Sequence, residues 1–359
     1  MTDKKNEVID LNKQDKKTDI VGVDVGTANI CLAKKNEKGD VELSNIRNMY
    51  LPLEKNHLPM VELSNIDHVE SEDKIFVIGE DAFNFSNLFN LPVRRPMAKG
   101  LISSTEIDSI DILTLILKQL VGKTKNGFCT YSIPANPIDE KSNVTYHQNV
   151  FHRIFSELGY RAEPMNEALS IVYSNCQENK FTGLSFSYGA GMVNTSLVFR
   201  SVPVISFSTS KSGDWIDEQA SNSLGTVPNR VTAIKEKGTD LANFMIGGKK
   251  ERRIREAVVY FYREVIHYSL EKVKEKLDES VSNIELPESL PIIVSGGTSL
   301  ATGFLTLFNE VLSELKKDFP FQISEVKHAS DPLFAVAEGL LIKGLMNQKK
   351  LQEDNKTKT

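Results

Sequence analysis

The chain has 359 residues, a net charge of −5 and apolar and charged fractions of 40% and 25%. That length exceeds what a single hydrophobic core serves, so two lobes are expected. The acidic balance argues against nucleic acid as a direct partner. Cys31, Cys129 and Cys176 lie far apart in apolar surroundings, without zinc-ligand spacing, and read as reduced, buried residues of a cytoplasmic protein. No run reaches membrane-spanning length, and residues 1–18 lack the apolar segment of a signal peptide.

In chain order, the Lys/Asp/Asn-rich residues 1–18 are expected to be a disordered tail. Residues 20–33 read I-V-G-V-D-V-G-T-A-N-I-C-L-A, a strand, a small-residue turn and a second strand. Glycines in such a turn let successive backbone N–H groups converge on one point, which is how a chain cradles a phosphate. Asp24 stands two residues before Gly26, placed to order a cation or its water; the plainer reading is a turn cap. Residues 36–40 signal a hairpin, and 36–74 are expected to form a small inserted subdomain. A strand over 74–79 leads to a helix from Glu80. Ser103 and Glu106 have capping-box spacing ahead of the amphipathic series Ile107, Ile110, Leu113, Leu117 and Leu120.

A strand over 128–133 stops at Pro134, a helix is expected within 139–158, and 160–165 lead into a helix from Glu167. A second strand-turn-strand follows over 184–199, L-S-F-S-Y-G-A-G-M-V-N-T-S-L-V-F, with Ser187 where the first has Asp24. An ordinary bulged hairpin is the alternative reading here. After a strand over 202–208, residues 213–249 form a second, mainly helical insertion. A long helix over 251–277 carries Ile254, Val258, Phe261, Val265 and Tyr268 on one face, most simply core packing. A strand at 291–294 opens into a turn with Gly296, Gly297 and Thr298; a strand over 321–326 and a helix over 331–345 complete the chain, and 347–359 read as a polar disordered tail. The order predicts an α/β protein of two related lobes facing a cleft, with lobe I over 19–158, lobe II over 159–319, and 320–346 returning to lobe I.

These segments, in this order, resemble the actin/Hsp70/sugar-kinase superfamily, and within it the prokaryotic actin-like proteins of the MreB and MamK type. Residues 24–29, D-V-G-T-A-N, are close to the D-L-G-T-A-N of the family's first phosphate loop, and 187–195 fall where D-I-G-G-G-T-T-D is usual. Residues 131–135 resemble the first connecting segment, 294–303 the adenosine-side strand and turn, and 331–339 the second connecting helix. Arg94 to Ile102 is similar to the R-P-L-x-x-G-V-I of the MreB branch, and 231–237, V-T-A-I-K-E-K, to actin's nucleotide wall.

The resemblance implies an actin-like fold, each lobe an RNase-H-like core with a smaller insert, binding ATP or ADP with Mg²⁺ between them and assembling into homopolymeric filaments. Gly26, Thr27, Ala28 and Asn29 would then face one end of the phosphates and Gly189, Ala190, Gly191 and Met192 the other, with Asp24 holding the metal through water. Gly213 would approach the phosphates or ribose, Lys235 and Glu236 would line the nucleoside, and Gly296, Gly297 and Thr298 would let the backbone close on it. Glu167, or Glu163 in an alternative register, would orient the attacking water. Ser187, Met192 and Asn194 replace a family Asp, Thr and Asp, which implies slow or absent hydrolysis, as in a weak ATPase or a non-hydrolysing scaffold that recruits adaptor proteins. A small-molecule kinase is a third reading, disfavoured because Ser187 is a poor general base. Leu88 and Phe89 lie where MreB proteins carry a membrane-touching loop, although core packing explains them equally well.

Overall fold

In the computed structural model, which describes residues 19–64, 66, 68–70, 73–89, 91–142, 144–245, 248–280 and 286–356, two five-stranded sheets repeat one topology. The first has the order Tyr160–Asn166, Gly127–Ile133, Asp19–Val25, Asn29–Lys35, Val41–Arg47. The second has the order Gln322–His328, Ser289–Ser295, Gly183–Tyr188, Val193–Phe199, Val202–Thr209. In each, three consecutive strands form an antiparallel meander and two later strands add in parallel beside the first. The first turn of each meander is one of the two small-residue turns, so the repeat places both at equivalent ends of their sheets.

The central strands are covered on both faces. Val21, Val23 and Val25 enter a core with Ile112, Ile116 and Phe151. On the other face Gly22 meets the helix Ala335–Lys356 so closely that a Cβ there would lie 2.3 Å from the Ala337 carbonyl oxygen. The second lobe packs Phe186 and Tyr188 against Phe304 and Phe308 on one side of its sheet. In the long helix Lys249–Ser280, Ile254, Val258 and Val265 are buried as expected, whereas Phe261 and Tyr268 are half-buried. All three cysteines are free and buried. No helix among the described residues is long and apolar enough to cross a membrane.

Several expected boundaries move, because sheet membership is set by long-range pairing. Val41–Arg47 is the edge strand of the first sheet, so the insert begins after it rather than at 36. That insert is a three-stranded sheet of Tyr50–Glu54, Lys74–Ile78 and His68–Glu70 with the helices Leu58–Leu63 and Gly79–Phe89. Tyr160–Asn166 pairs in parallel with Gly127–Ile133, which extends the first lobe past residue 158. Gln322–His328 pairs with Ser289–Ser295, which extends the second lobe past 319. The final helix continues to Lys356 through much of the stretch expected to be a disordered tail. Ser103 and Glu106 do not form a capping box: the helix starts later, at Ser109–Val121. There the Ser103 hydroxyl accepts from the Thr105 N–H, while Glu106 accepts from the Tyr50 hydroxyl at 2.7 Å. Residues 1–18 lie outside the described residues, and so do the side chains of Leu88 and Phe89.

Three segments join the lobes. Asn136 and Ile138 exchange backbone hydrogen bonds with Ser208, fastening the segment after Ile133 to the edge of the second sheet. The helices Glu167–Asn175 and Ala335–Lys356 cross between the sheets, and Gly339 permits the crossing, since a Cβ there would sit 1.8 Å from the Ser170 carbonyl oxygen.

Candidate functional site

Both turns are built alike: their carbonyls are held from behind and their amides face forward. In the first, the Gly26 N–H donates to the Asn29 carbonyl at 3.0 Å, while Asn48 donates from Nδ2 to the Gly26 carbonyl (2.9 Å) and from its backbone to that of Ala28 (2.8 Å). In the second, the Gly189 N–H donates to the Met192 carbonyl at 3.0 Å, and the Gly189 carbonyl accepts from Gly213 N–H (3.1 Å) and Thr298 Oγ1 (2.8 Å). The Ala190 carbonyl accepts from Asp214 N–H at 2.8 Å and from the Ser212 hydroxyl. Among the described residues, no protein acceptor takes the N–H groups of Thr27, Ala28, Ala190 or Gly191. Converging unpaired amides suit an anion.

The turns belong to different lobes and face one cleft of about 520 Å³, within the range of small-molecule sites. They also come close to each other. A hairpin of Met97–Ala98 and Leu101–Ile102 turns through Lys99 (φ 49°) and Gly100 (φ 73°), a left-handed pair. Its tip donates from Gly100 N–H to Thr27 Oγ1 at 3.0 Å, leaving the Thr27 hydroxyl proton for a ligand. A Cβ on Gly191 would lie 2.3 Å from Gly100 N and 2.4 Å from Thr27 Oγ1, so only glycine allows this approach.

At the cleft floor stand Asp24, Glu167, Ser187 and Asn194. Asp24 Oδ1 is buried without a hydrogen-bond partner among the described residues. Burial pushes its carboxyl up to about 6, opposed by a hydrogen bond with Ser132. Glu167 is pushed up to about 8, first by burial and then by the negative charge of Asp24, against hydrogen bonds with Asn194 and Ser187. Asn194 Oδ1 accepts from the Ala135 N–H at 2.9 Å, which fixes the amide so that Nδ2 donates to Glu167 Oε2, also at 2.9 Å. An aspartate at 194 has no N–H to donate and would set a further carboxylate against Glu167.

The half-buried Lys235 pairs with the buried Asp217 (2.7 Å) and donates to the Gly213 carbonyl at 3.0 Å, while Thr232 donates to the same Asp217 oxygen at 2.8 Å. Lys235 therefore lines the wall with its ammonium already engaged, whereas Glu236 is exposed beside it. Gly296 adopts φ 93°, and a Cβ there would lie 2.4 Å from the Tyr188 carbonyl oxygen. Gly297 opens a short 3₁₀ turn, and Thr298 supports the second loop through Gly189. Met192 contributes backbone only: its side chain is buried, with the sulfur accepting from Ser208 at 3.5 Å.

The cleft thus assembles all the expected site residues except Glu163. Glu163 lies on the sheet-edge strand Tyr160–Asn166, outside the cleft lining, and accepts from Asn347 Nδ2 at 2.7 Å; that register is corrected. Sequence reasoning had assigned no roles to Asn48, Ser132, Arg95 or Asp217. Arg95 and Ser132 stand in the segments 94–102 and 131–135, but their partners, Asp214 and Val25, are remote in sequence.

The orphaned Asp24 oxygen fits a cation's water shell. Among the described residues no group of three or more acidic, His or Cys side chains would hold a metal by itself. A Mg²⁺ here would depend on water and ligand oxygens, as Mg²⁺ commonly does.

Two lobes of one repeated topology, joined by crossing helices beneath a cleft with a glycine turn from each, define an actin-like fold. Similar solved structures include MreB5 of Spiroplasma citri bound to AMPPNP (TM-score 0.65, 15% identity, covering 94% of this chain and 99% of that one). The MamK double helical filament gives TM-score 0.63 at 17% identity, covering 90% and 98%. The ethanolamine utilization protein EutJ from Carboxydothermus hydrogenoformans gives 0.51 at 16%, covering 90% and 89%. At these identities the likeness concerns the fold. No curated protein matches the sequence significantly. The Volactin family model matches residues 20–344, and the chain belongs to that family.

Proposed function

We propose that this protein is an actin-like filament protein that binds ATP or ADP with Mg²⁺ in its cleft and hydrolyses ATP slowly or not at all. The observation that carries the reading is the pair of opposed turns whose Thr27, Ala28, Ala190 and Gly191 amides lack protein acceptors among the described residues, with the orphaned Asp24 oxygen on the cleft floor. The turn amides and the Thr27 hydroxyl bind the phosphates, Asp24 orients water around the cation, and Glu236 faces the ribose side. Bound Mg²⁺ supplies charge neutralisation for the phosphates.

Slow hydrolysis is supported by the floor. Ser187 provides a hydroxyl where a carboxylate is usual, and Glu167, the candidate for orienting the attacking water, is held at a raised pKa by burial and Asp24. Removing a charged partner from a phosphoryl-transfer site costs orders of magnitude in rate. Self-assembly is supported by the fold shared with MamK, whose structure is that of a double helical filament. Assembly follows nucleotide state only if ATP and ADP favour the open and closed clefts differently.

The test pairs sedimentation with phosphate release, each with ATP, with ADP and without nucleotide. Nucleotide-dependent pelleting with little phosphate release supports the proposal. Equal solubility in all three conditions refutes filament formation, and rapid release refutes slow hydrolysis. The alternative, a non-hydrolysing scaffold that recruits adaptors without dynamic filaments, is favoured by Asn194, which ties Glu167 to the Ala135 backbone. Nucleotide binding without pelleting is its signature. The absence of a membrane-crossing helix among the described residues and the reduced, buried cysteines suit a cytoplasmic location.

A further inference from the structure

Arg95 of the first lobe and Asp214 of the second meet across the cleft, with Arg95 Nη1 2.9 Å from Oδ1 and 3.1 Å from Oδ2. Each residue is tied to a phosphate-facing turn. Asp214 lies in the first turn of the helix Gly213–Leu224, and its N–H holds the Ala190 carbonyl at 2.8 Å. Arg95 leads into the hairpin whose tip holds Thr27 through Gly100 N–H and packs against Met192. A carboxylate this close to Ala190 repels an anionic ligand unless a cation neutralises it. Both side chains are about one-third exposed, 31% and 35%, so the pair can open and re-form and adds little to overall stability.

We propose that Arg95 and Asp214 form an inter-lobe clasp that holds the two turns in register and sets how long a polyphosphate ligand stays in the cleft. The role in ligand release rests on the nucleotide reading above; the role in lobe closure does not. With Arg95 engaged, the second turn's amides and the first turn's hydroxyl face the same ligand, and Asp214 presents no net repulsion to it. With Arg95 absent, Asp214 is unneutralised and the hairpin loses its side-chain ion pair to the second lobe, keeping the packing of its tip against Gly191 and Met192.

The test is a double-mutant cycle of Arg95→Ala, Asp214→Ala and the combined variant on the full chain, with two readouts. The first is the distance distribution without ligand, between spin labels at Glu62→Cys and Arg230→Cys. These positions are exposed on the two inserts, and the native cysteines are buried. The second is the release rate of a fluorescent ADP in the presence of Mg²⁺. Each single variant is expected to broaden the distances, and the combined variant to broaden them no further. Arg95→Ala is expected to release ADP roughly fivefold faster, with no additional acceleration in the combined variant. The clasp is overturned if Arg95→Ala leaves the distance distribution unchanged, or if the effects of the two single variants add in full. Failure of the wild-type protein to bind ADP sinks the nucleotide reading, while the ligand-free distances still decide the clasp.

Discussion

Glu167→Gln gives a sharp test of the cleft floor. Glu167 has an ordinary pKa of 4.5 when the chain is unfolded and is raised to about 8 by burial and by Asp24 when folded. Between those values the folded protein binds more protons than the unfolded chain. Stability is therefore highest at and below pH 4.5, as far as this group is concerned, falls as pH rises toward 8, and is level above that. One proton limits the slope to about 1.4 kcal/mol per pH unit, so the loss across the window is on the order of a few kcal/mol. Glutamine removes the titration and keeps an oxygen for Asn194 Nδ2. Asp24 titrates near 6, where Glu167 is still neutral, so the substitution removes no charge from beside Asp24 in that range. Urea unfolding of the ligand-free protein from pH 5 to 9 is expected to show a declining wild-type curve and a flatter variant curve, with the variant the more stable at pH 9. Parallel curves would refute the account, because Glu167 would then titrate alike in both states.

Three further outcomes follow from particular contacts. Ser187→Asp sets a third carboxyl beside Glu167 and Asp24, so it is expected to cost roughly 1–3 kcal/mol without divalent cation and to raise phosphate release with Mg²⁺ and ATP. Unchanged stability together with unchanged turnover would count against a missing carboxylate at 187. Asp24→Ala is expected to weaken Mg²⁺-dependent nucleotide binding about tenfold or more, measured by titration calorimetry; equal affinity would remove Asp24 from the site. Gly339→Ala forces a Cβ to within 1.8 Å of the Ser170 carbonyl oxygen at the inter-lobe crossing. Relieving that overlap is expected to cost about 1–3 kcal/mol and lower the melting temperature by several degrees, so a wild-type melt would contradict the close crossing.

Much of the cleft was legible before any coordinates, because its chemistry is local. A glycine turn two residues beyond an acid presents its amides whichever sheet it belongs to, and both turns, together with Gly296 and Glu167, fall where their segments indicated. The helix start at Glu167 was likewise local: Asn166 caps it, accepting from the Leu169 N–H at 3.1 Å. The capping box at Ser103 failed because Tyr50, a residue of the insert, claims Glu106 through a contact 56 residues away in sequence. Glu163 offers only an alternative register to Glu167 in the sequence, and the pairing of its strand sets it on the first sheet's outer edge.

By itself, then, the sequence determined the two α/β halves, the two small-residue turns and the Ser187 that stands where the first turn has Asp24, since each is written in residues close together along the chain. Only the tertiary structure decided that Val41–Arg47 and Tyr160–Asn166 belong to the first sheet and Gln322–His328 to the second. The same is true of Asn194 steering Glu167 and Arg95 meeting Asp214 across the cleft. Strand alternation says that a strand is half or fully buried but not beside which neighbour, and a charged side chain's partner is fixed by the fold that brings it near.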